Sequence, residues 1–578
     1  MSQEKSEFSF KRLFIPLTTF KAIHWIVLVG IIVYCNSLFN GFIMDDTWQI
    51  VNNSIIHSLT NIPLFFSGST FDMGEAQVLA GNYYKPLMSL YFSILYTFFG
   101  ATPFPYHLVQ LILHILNAIF VFLLFKKFFT KHLSLFLSLI FLVHPINQEA
   151  AIYAADIQDI LYFFFGILAL LIISNGVQNS KRAITITIFL LMSLLSKETG
   201  IVFAPLLLCI SYVTKKTVAL SARILIIVTS GAYLVFRFFI LHLPAQTIAP
   251  ISSLSILQRL NSMPAIFFYY ISTFFYPQKL AVVQIWTVNS IDFQHFYFPL
   301  FLDGVFLFLI GMLGFYLYKT DKRRMPLYVF FMGWFVLGIL FHIQIIPLDA
   351  TVSTRWFYFT GVGLLGLIGL AIQCIKHGNI NIVRAGYVCA AIILVLLSIR
   401  TIVRNSNWVD EYTLYSHDIQ VDDNFMLEDD MAGQLIGKGQ YKQALNHIEK
   451  SISISPGWHN YNILASVYIK LGEKDKAIDA YKKSLHYSDY YLSYENLADS
   501  YLLSSNLTLA KKYSEEGLKR FPKDALLWLY YGLSEYKSGN KQTAIAAIQK
   551  SLSIDNSNSE MAAALNAIVN NQQINLKP

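Results

Sequence analysis

Long apolar runs alternate with short polar and basic segments along the first 400 residues, and the last apolar run ends near Ile402. Each run approaches the roughly 20 residues that cross a bilayer as a helix. Beyond Arg404 apolar residues instead recur at helical spacing among polar ones. The pattern predicts an all-α chain in three parts. These are a polytopic membrane helix bundle (residues 1–403), a linker (404–424) and a water-soluble helical domain (425–578).

Basic clusters between the apolar runs predict the topology, because loops rich in lysine and arginine stay in the cytoplasm. We expect eleven spans, with an uncleaved first span and a cytoplasmic N-terminus. The spans lie near residues 22–39, 104–125, 132–147, 155–174, 182–196, 200–214, 220–241, 297–318, 327–345, 356–375 and 385–403. Since eleven is odd, the C-terminal domain is expected outside the cytoplasm. Segments 86–100 and 262–276 are interpreted as interfacial or re-entrant helices within outer loops 40–103 and 242–296.

Composition narrows the class of protein. Hydrophobic residues make up 55% and charged residues 13% of the 578-residue chain, against roughly 25% charged residues in soluble domains. This excludes a cytosolic enzyme, a secreted disulfide scaffold and a disordered tail. The net charge of +8 is expected of basic cytoplasmic loops, so nucleic acid is not a predicted partner. The four cysteines lie in apolar runs at unrelated spacings, which match no disulfide framework or metal motif: Cys35, Cys209, Cys374 and Cys389.

The C-terminal domain repeats itself four times. Alanines at positions 444, 477, 510 and 544 follow one another at intervals of 33, 33 and 34 residues. The helices before them supply Ala432, Ala465, Ala498 and Gly532 at the matching position. A helix–turn–helix period of about 34 residues with small residues at the helix crossings is the tetratricopeptide pattern. An α-solenoid of about four repeats is therefore predicted, and such solenoids bind polypeptides.

Candidate chemistry clusters on the predicted outer face. Asp45 and Asp46 follow the first span, where one of two adjacent carboxyls can act as a base; alternatively both are solvated loop acids. Lys85, after a tyrosine pair, can bind a phosphate as a point charge or anchor a helix at the interface. His107, His114 and Asn117 share a helix face, where interhelical hydrogen bonding is favoured over a metal site.

Further charges map to the same side. Glu149, Asp156 and Asp159 precede or begin the fourth span, as functional acids or as acids favoured by the helix dipole. Lys197 and Glu198 in "SKETG" are close enough to pair with each other. Arg355, near Asp349 and Tyr358, can clamp phosphate oxygens or extend to the interface.

The acids and cations thus share one predicted leaflet. An acidic base beside cationic phosphate binders is what transfer from a lipid-phosphate sugar requires.

In order along the chain, these motifs resemble the transmembrane and tetratricopeptide-repeat glycosyltransferases, a family of the C-type class related to the protein O-mannosyltransferases. The resemblance covers nearly the whole chain. It rests on "DDTWQIVNN", "YYKPLMSLYFSILYTFFG", "YHLVQLILHILNA", "HPINQEAA…QD", "SKETG", "TRWFYF" and "RNSNWVDEYTLY" before the repeats.

The resemblance implies an inverting sugar transfer on the extracytoplasmic face. Asp45 or Asp46 matches the family's first-loop acid, which deprotonates an acceptor hydroxyl. Lys85 and Arg355, with Lys197, are expected near the donor phosphate. Glu149, Asp156, Asp159, Tyr84 and Tyr358 are the residues expected to orient the acceptor or sugar.

Two positions depart from the family pattern. Thr354 stands where a glutamate usually precedes the matched arginine. Ile157 and Gln158 stand where a basic residue commonly precedes the matched acid, Asp159. These departures leave open a divergent donor or a chain that has lost activity.

We therefore predict a membrane glycosyltransferase that moves mannose or another hexose from a polyprenyl-phosphate donor to serine or threonine hydroxyls of proteins, with the repeats presenting the acceptor. The alternatives are a non-catalytic, membrane-anchored repeat scaffold and a transferase that acts on a lipid or polysaccharide. The expected partners are the bilayer, the lipid-linked sugar and an acceptor polypeptide. No ligand set predicts a metal, and a bacterial plasma membrane is favoured over the endoplasmic reticulum.

Overall fold

A computed structural model describes residues 16–70, 83–241, 249–375, 380–555, 558–570 and 572. These residues form two compact units that divide between His417 and Asp418. All named elements of both units are helices or helical turns, which confirms the all-α class. The N-terminal basic residues Lys5, Lys11 and Arg12, the basic residue Lys376 and part of both predicted outer loops lie outside the described residues.

The first unit consists of helices joined mostly by short turns. Its helices of eight or more residues are Thr19–Tyr34, Pro86–Phe99, Pro103–Phe125, Lys131–Val143, Ile157–Ile173, Ser180–Ser196, Phe203–Thr214, Leu220–Val235, Ile256–Phe275, Phe298–Thr320, Met325–Leu340, Phe357–Cys374, Ile380–Ser406 and Glu411–Asp418.

Eight helices of the described residues are long and apolar enough to cross a membrane, so the chain is a membrane protein. They are Thr19–Phe39, Pro103–Phe125, Ala154–Ile173, Leu220–Ile240, Phe293–Thr320, Lys322–Leu340, Thr354–Cys374 and Arg384–Ser406. A ninth span arises if Lys131–Val143 and Pro145–Ile152, which meet at a bend of 51°, cross together. Pro145 accounts for the bend, because proline cannot donate the hydrogen bond that continues a helix.

The predicted number of eleven spans is therefore not reproduced. The two remaining segments are helical, but Ser180–Ser196 has 17 residues and begins with a polar, basic turn. Glu198–Thr214 is apolar, but it has fewer than the 18 residues that a candidate span requires. By length and composition the described residues supply eight or nine spans.

Segments 86–100 and 262–276, which were predicted not to span the membrane, are both helical. Pro86–Phe99 has 14 residues and is too short to cross a bilayer unaided. Ile256–Phe275 has 20 residues with Pro264 inside it and is not among the helices apolar enough to span. Their position at the membrane interface stays a prediction.

Residues 404–424, which were predicted to form a linker, are partly helical. It contains the end of helix Ile380–Ser406 and all of Glu411–Asp418. Arg404 and Trp408 are buried, and the side-chain amide of Asn405 donates to the carbonyl of Val33, 3.0 Å away. These contacts fix residues 404–408 to the end of the first span, because a buried amide needs a partner.

The second unit is a series of antiparallel helix pairs. The pairs are Phe425–Gly437 with Tyr441–Ile454, Trp458–Leu471 with Lys474–Tyr487, Tyr491–Leu503 with Leu507–Arg520, and Ala525–Lys537 with Lys541–Ile554, followed by Ser559–Val569. The four repeat alanines at positions 444, 477, 510 and 544 are all fully buried. The helix pairs therefore cross where the sequence places its smallest side chains, as predicted.

Helices Met325–Leu340 and Phe357–Cys374 approach closely through glycines. A Cβ atom on Gly363 would lie 2.5 Å from the backbone nitrogen of Phe335 and 3.0 Å from the carbonyl oxygen of Phe331. On Gly361 a Cβ would meet nothing nearer than the Phe357 side chain at 3.5 Å. Small residues let membrane helices pack backbone to backbone, and Gly363 is the position that makes this approach possible.

We expect Gly363→Ala to destabilise the protein by about 1–3 kcal/mol, because backbone atoms cannot move aside as a flexible side chain does. Gly361→Ala, the same change two residues earlier in the same helix, is the control and should be close to neutral. Denaturant unfolding of the purified protein in detergent measures both. Equal midpoints for the two variants would contradict the close approach at Gly363.

Candidate active site

The loop after the first span is tied to the segment that precedes the Ile157–Ile173 helix. Asp46 is fully buried. Its carboxylate accepts hydrogen bonds from the backbone nitrogens of Ile43 at 3.2 Å and Ala155 at 2.6 Å. Both carboxylate oxygens of Asp46 are thus used to hold two stretches of backbone together.

Met44 between these anchors has a φ of 50°. This left-handed conformation is uncommon for a residue with a side chain. The backbone nitrogen of Met44 donates to the Glu411 carboxylate at 2.6 Å. The turn is therefore held from two sides, and it reverses the chain immediately before Asp45.

Asp45 points away from this scaffold. Its backbone nitrogen donates to the Tyr153 hydroxyl at 3.0 Å, while its side chain keeps exposed surface. Burial by the surrounding protein raises the pKa of Asp45, and the positive charges of Arg355 and Lys85 partly oppose this rise. The Asp45 carboxyl is thus reachable by solvent, yet it is less well hydrated than a carboxyl on an open surface.

Arg355 joins two other predicted site residues. Its guanidinium lies 3.3 Å from the Glu149 carboxylate and 2.8 Å from that of Asp156. Glu149 is 1% and Asp156 is 2% exposed. Because isolated charges are very costly to bury, both acids depend on this arginine.

Thr354, the residue that departs from the family pattern, also contacts Glu149. Its hydroxyl donates to one carboxylate oxygen of Glu149, and the Ser353 hydroxyl donates to the other at 2.9 Å. Four donor groups of residues 353–355 therefore converge on Glu149. In this chain the carboxylate beside the arginine comes from Glu149 rather than from position 354.

Lys197 and Glu198 do not pair with each other. The Lys197 ammonium contacts both oxygens of Asp159, at 2.7 and 2.9 Å. Glu198 instead accepts from Arg237 at 3.0 Å. Lys197 ends the Ser180–Ser196 helix, and Glu198 begins the following turn. Their side chains consequently reach different neighbours.

Lys85 differs from Lys197 and Arg355, the other two cations predicted for the site. It is 7% exposed, yet it forms no ion pair with a carboxylate of the described residues. Its ammonium lies 4.4 Å from the centre of the Tyr83 ring. Burial lowers the pKa of Lys85, and the like charge of Lys197 lowers it further. Lys85 is therefore a buried cation whose charge an incoming anion would stabilise.

Two predicted tyrosines lie elsewhere. Tyr358 is fully buried inside its helix, where its hydroxyl contacts His114 at 2.8 Å and Asn117 at 3.1 Å. The Tyr84 hydroxyl donates to the carbonyl of Phe66 at 3.2 Å. Both side chains are occupied with holding the fold, so neither supports the predicted role in orienting a sugar.

The neighbouring residue Tyr83 contacts one of the acids near the predicted site. Its hydroxyl donates to the Asp349 carboxylate, whose side chain is exposed. Burial and the negative charge of Asp349 raise the pKa of Tyr83. The charge of Asp45 also acts on this tyrosine. Tyr83 and Asp349 therefore lie within electrostatic reach of Asp45.

The histidine face predicted on the Pro103–Phe125 helix makes interhelical hydrogen bonds. His114 contacts the Leu142 carbonyl at 3.0 Å as well as Tyr358, and the Asn117 amide donates to the Ile160 carbonyl at 3.2 Å. This confirms the favoured interpretation for His114 and Asn117, whereas the buried ring of His107 shows no such bond with the described residues. No group of three metal-binding side chains occurs in the described part of the chain.

Sequence reasoning missed Tyr153, Tyr83 and Arg237. Tyr153 stands between the acids of "HPINQEAAIYAADIQD", where a tyrosine reads as an interfacial anchor. Arg237 lies at the end of an apolar run, where an arginine reads as a topology marker. No spacing rule brings either residue to the acids, because their partners are distant in sequence.

Comparison with known proteins agrees with this architecture. Family models for the tetratricopeptide repeat match residues 459–488 and 495–559. Human "Protein O-mannosyl-transferase TMTC3" is 24% identical over 477 residues, which are 74% of this chain and 51% of the relative. The resemblance predicted from the motifs is confirmed.

Other relatives agree. Human "Protein O-mannosyl-transferase TMTC1" is 32% identical over 185 residues, covering 29% of this chain and 21% of the relative. "Protein O-mannosyl-transferase Tmtc3" of Drosophila melanogaster is 23% identical over 512 residues, or 74% of this chain and 54% of the relative. The chain spans about half the length of the TMTC3 relatives that it matches. The predicted bacterial plasma membrane stays a prediction.

The buried pair of Asp159 and Lys197 gives a stability test. Asp159→Asn should destabilise the protein by about 3–5 kcal/mol, because it leaves the ammonium of Lys197 without its counter-charge. Combining Asp159→Leu with Lys197→Met removes both charges and should recover most of this loss. Denaturant unfolding of the single and double variants measures the coupling; additive losses would show that the pair does not interact.

Proposed function

We propose that this chain transfers a hexose, mannose in the first instance, from a polyprenyl-phosphate donor to serine or threonine hydroxyls of proteins on the extracytoplasmic face of a membrane. The observation that carries the proposal is the exposed carboxyl of Asp45, whose pKa is raised by burial and lowered by the positive charges of both Arg355 and Lys85. The relatives named as protein O-mannosyl-transferases support the sugar and the acceptor.

The chemistry needs one base and one anion site. The Asp45 carboxylate accepts the proton of the acceptor hydroxyl, and the hydroxyl oxygen attacks the anomeric carbon of the sugar. The bond from that carbon to the phosphate oxygen breaks, and the polyprenyl phosphate leaves with the electron pair. Attack from the face opposite the leaving group inverts the anomeric configuration. The proton on Asp45 then passes to solvent, to which its side chain is open.

Asp45 rather than Asp46 is the proposed base. Asp46 is enclosed and both of its oxygens accept backbone hydrogen bonds. A carboxylate in that position cannot reach an acceptor without breaking the turn. Asp45 has the opposite properties, since its side chain is exposed and accepts no hydrogen bond from the described backbone, while its own backbone nitrogen is held by Tyr153.

Lys85 is the proposed contact for the donor phosphate. Lys197 is already neutralised by Asp159, and Arg355 by Glu149 and Asp156. Of these three cations, Lys85 is the one that forms no ion pair with a carboxylate of the described residues, although it is buried. Developing negative charge on the leaving phosphate would be stabilised there without any rearrangement of the surrounding charges. The positive charge of Arg355 acts on the Asp45 carboxyl as well.

The repeats are proposed to hold the acceptor polypeptide. Tetratricopeptide solenoids present extended surfaces for peptides, and the matched family models lie in this part of the chain. A membrane-anchored scaffold without catalysis remains the second candidate function. Eight or nine helices able to span exceed what an anchor requires, because a single span suffices.

Asp45→Asn should lower sugar transfer at least about 100-fold, because a general base contributes roughly 10²–10⁴ in rate. The denaturation midpoint should stay unchanged, since the exposed side chain holds no other backbone segment. Transfer from a polyprenyl-phosphate hexose to a Ser/Thr peptide, detected by mass spectrometry, measures activity. Asp292→Asn is the matched control, because Asp292 is a part-exposed acid that caps the turn Phe293–Tyr297 and asparagine can also cap a helix. Full activity in Asp45→Asn would eliminate this base.

Deletion of residues 425–578 should lower protein glycosylation more than binding of the polyprenyl-phosphate donor. The reason is that the donor contacts all lie in the first unit, whereas the acceptor is held by the repeats. Donor binding to the truncated and full-length protein, measured in the same detergent, serves as the internal control. Glycosylation of protein that persists at the full rate without the repeats would show that they have a different role.

A further inference from the structure

Tyr153 acts on both the backbone and the side chain of Asp45. Its hydroxyl oxygen accepts the backbone N–H of Asp45 at 3.0 Å, and the hydroxyl, as a hydrogen-bond donor, lowers the pKa of the Asp45 carboxyl. A hydroxyl has one proton to donate and lone pairs to accept. Because the N–H occupies a lone pair, the proton stays free to point at the carboxylate.

Tyr153 itself has little freedom to move. It is 2% exposed, and its ring lies 5.6 Å from that of Trp408. Its carbonyl accepts the side-chain amide of Gln110 at 2.7 Å. Two residues further on, the Ala155 nitrogen is fixed by Asp46. Ring, carbonyl and following backbone are therefore each held by a different part of the first unit.

We infer that Tyr153 is a positioning residue, which fixes the rotamer of Asp45 by bonding its backbone and its carboxylate at once. This inference rests on the proposed function, since it concerns the residue proposed there as the base. Without the hydroxyl, Asp45 would be held only through the backbone of its neighbours, and its side chain would be free to take other rotamers.

Tyr153 affects the pKa of Asp45 as well as its geometry. A donor to the ionised form of a carboxyl lowers its pKa, and Tyr153 acts on Asp45 in this direction against the effect of burial. Other charged or titratable groups also act on or adjoin Asp45. They are Asp46, Tyr83, Lys85, Asp349 and Arg355, with Glu411 bonded to the preceding residue. A change at Tyr153 alone leaves all of these in place.

These contacts determine in which direction the pKa of Asp45 changes when Tyr153 is replaced. Tyr153→Phe removes the donor, so the pKa of Asp45 rises. Because transfer requires the ionised carboxylate, the acidic limb of the pH–rate profile should move to higher pH by about one unit. The maximal rate should also fall by roughly 10- to 100-fold, since a base that changes rotamer loses its alignment. A purely structural role would lower the rate without moving the limb.

A fluorinated tyrosine at position 153 gives the opposite change without loss of packing. Its more acidic hydroxyl is a stronger donor of almost the same size, so the acidic limb should move to lower pH. Tyr34→Phe is the matched control. Tyr34 is also fully buried, and its hydroxyl donates to the Leu142 carbonyl at 3.0 Å, so its loss should leave the limb in place.

A second measurement does not depend on sugar transfer. Carbodiimide reacts with protonated carboxyl groups, and peptide mass spectrometry reports its addition to Asp45 in the full-length protein. The pH of half-maximal labelling should rise in Tyr153→Phe and fall with the fluorinated tyrosine. If neither substitution moves the labelling or the limb while Asp45→Asn abolishes transfer, the inference about Tyr153 is overturned and the proposed function stands.

The reverse outcome is also distinguishable. If Asp45→Asn transfers sugar at the normal rate, the proposed base is wrong, and the labelling curves still decide whether Tyr153 controls the ionisation of Asp45. Labelling that shifts in both variants supports the positioning contact even then. Labelling that does not shift removes it.

Discussion

The first unit depends on the pairing of buried charges between segments that are distant in sequence. Arg355 bonds Glu149 and Asp156, which lie about 200 residues earlier in the chain. A carboxylate or guanidinium buried alone costs several kcal/mol, so these three groups are stable only together. The pairing therefore holds the start of the Phe357–Cys374 helix against the bend at Pro145–Ile152. Asp159 with Lys197 repeats the principle one helix turn further along.

Charge pairing also separates two groups of polar residues. One group is bonded within the protein and stabilises the fold, and the other is available to a substrate. Asp46, Asp159 and Lys197 have their hydrogen-bonding capacity taken up by protein groups. Asp45 instead keeps an exposed side chain, and Lys85 forms no ion pair with a carboxylate of the described residues. A site assembled in this way needs little reorganisation when an anion and a hydroxyl arrive, since the costly charges are compensated beforehand. The positive φ of Met44 is consistent with this view, because strained backbone is found where a side chain must be aimed.

The residue at position 354 shows how a departure from a family pattern can be read in three dimensions. A glutamate there would add a second carboxylate against Glu149, whereas the hydroxyl of Thr354 donates to it. The negative charge beside Arg355 is kept, but it comes from another helix. The departure therefore does not remove the electrostatic environment of the arginine, and it weakens the case for a chain that has lost this site.

The sequence by itself determined the membrane class, the repeats and the list of charged candidates. Apolar runs of bilayer length and a 33- to 34-residue period are local properties, so they survive without tertiary information. Two of the eleven predicted spans, Ser180–Ser196 and Glu198–Thr214, form helices of fewer than 18 residues, so by length and composition the described residues supply eight or nine spans. Only the tertiary structure decided that Asp46 is enclosed while Asp45 is open, and that Tyr83 bonds Asp349 whereas Tyr84 bonds the carbonyl of Phe66. Adjacent residues with the same chemistry are indistinguishable in sequence, and the direction of a side chain is set by backbone turns and by partners over a hundred residues away.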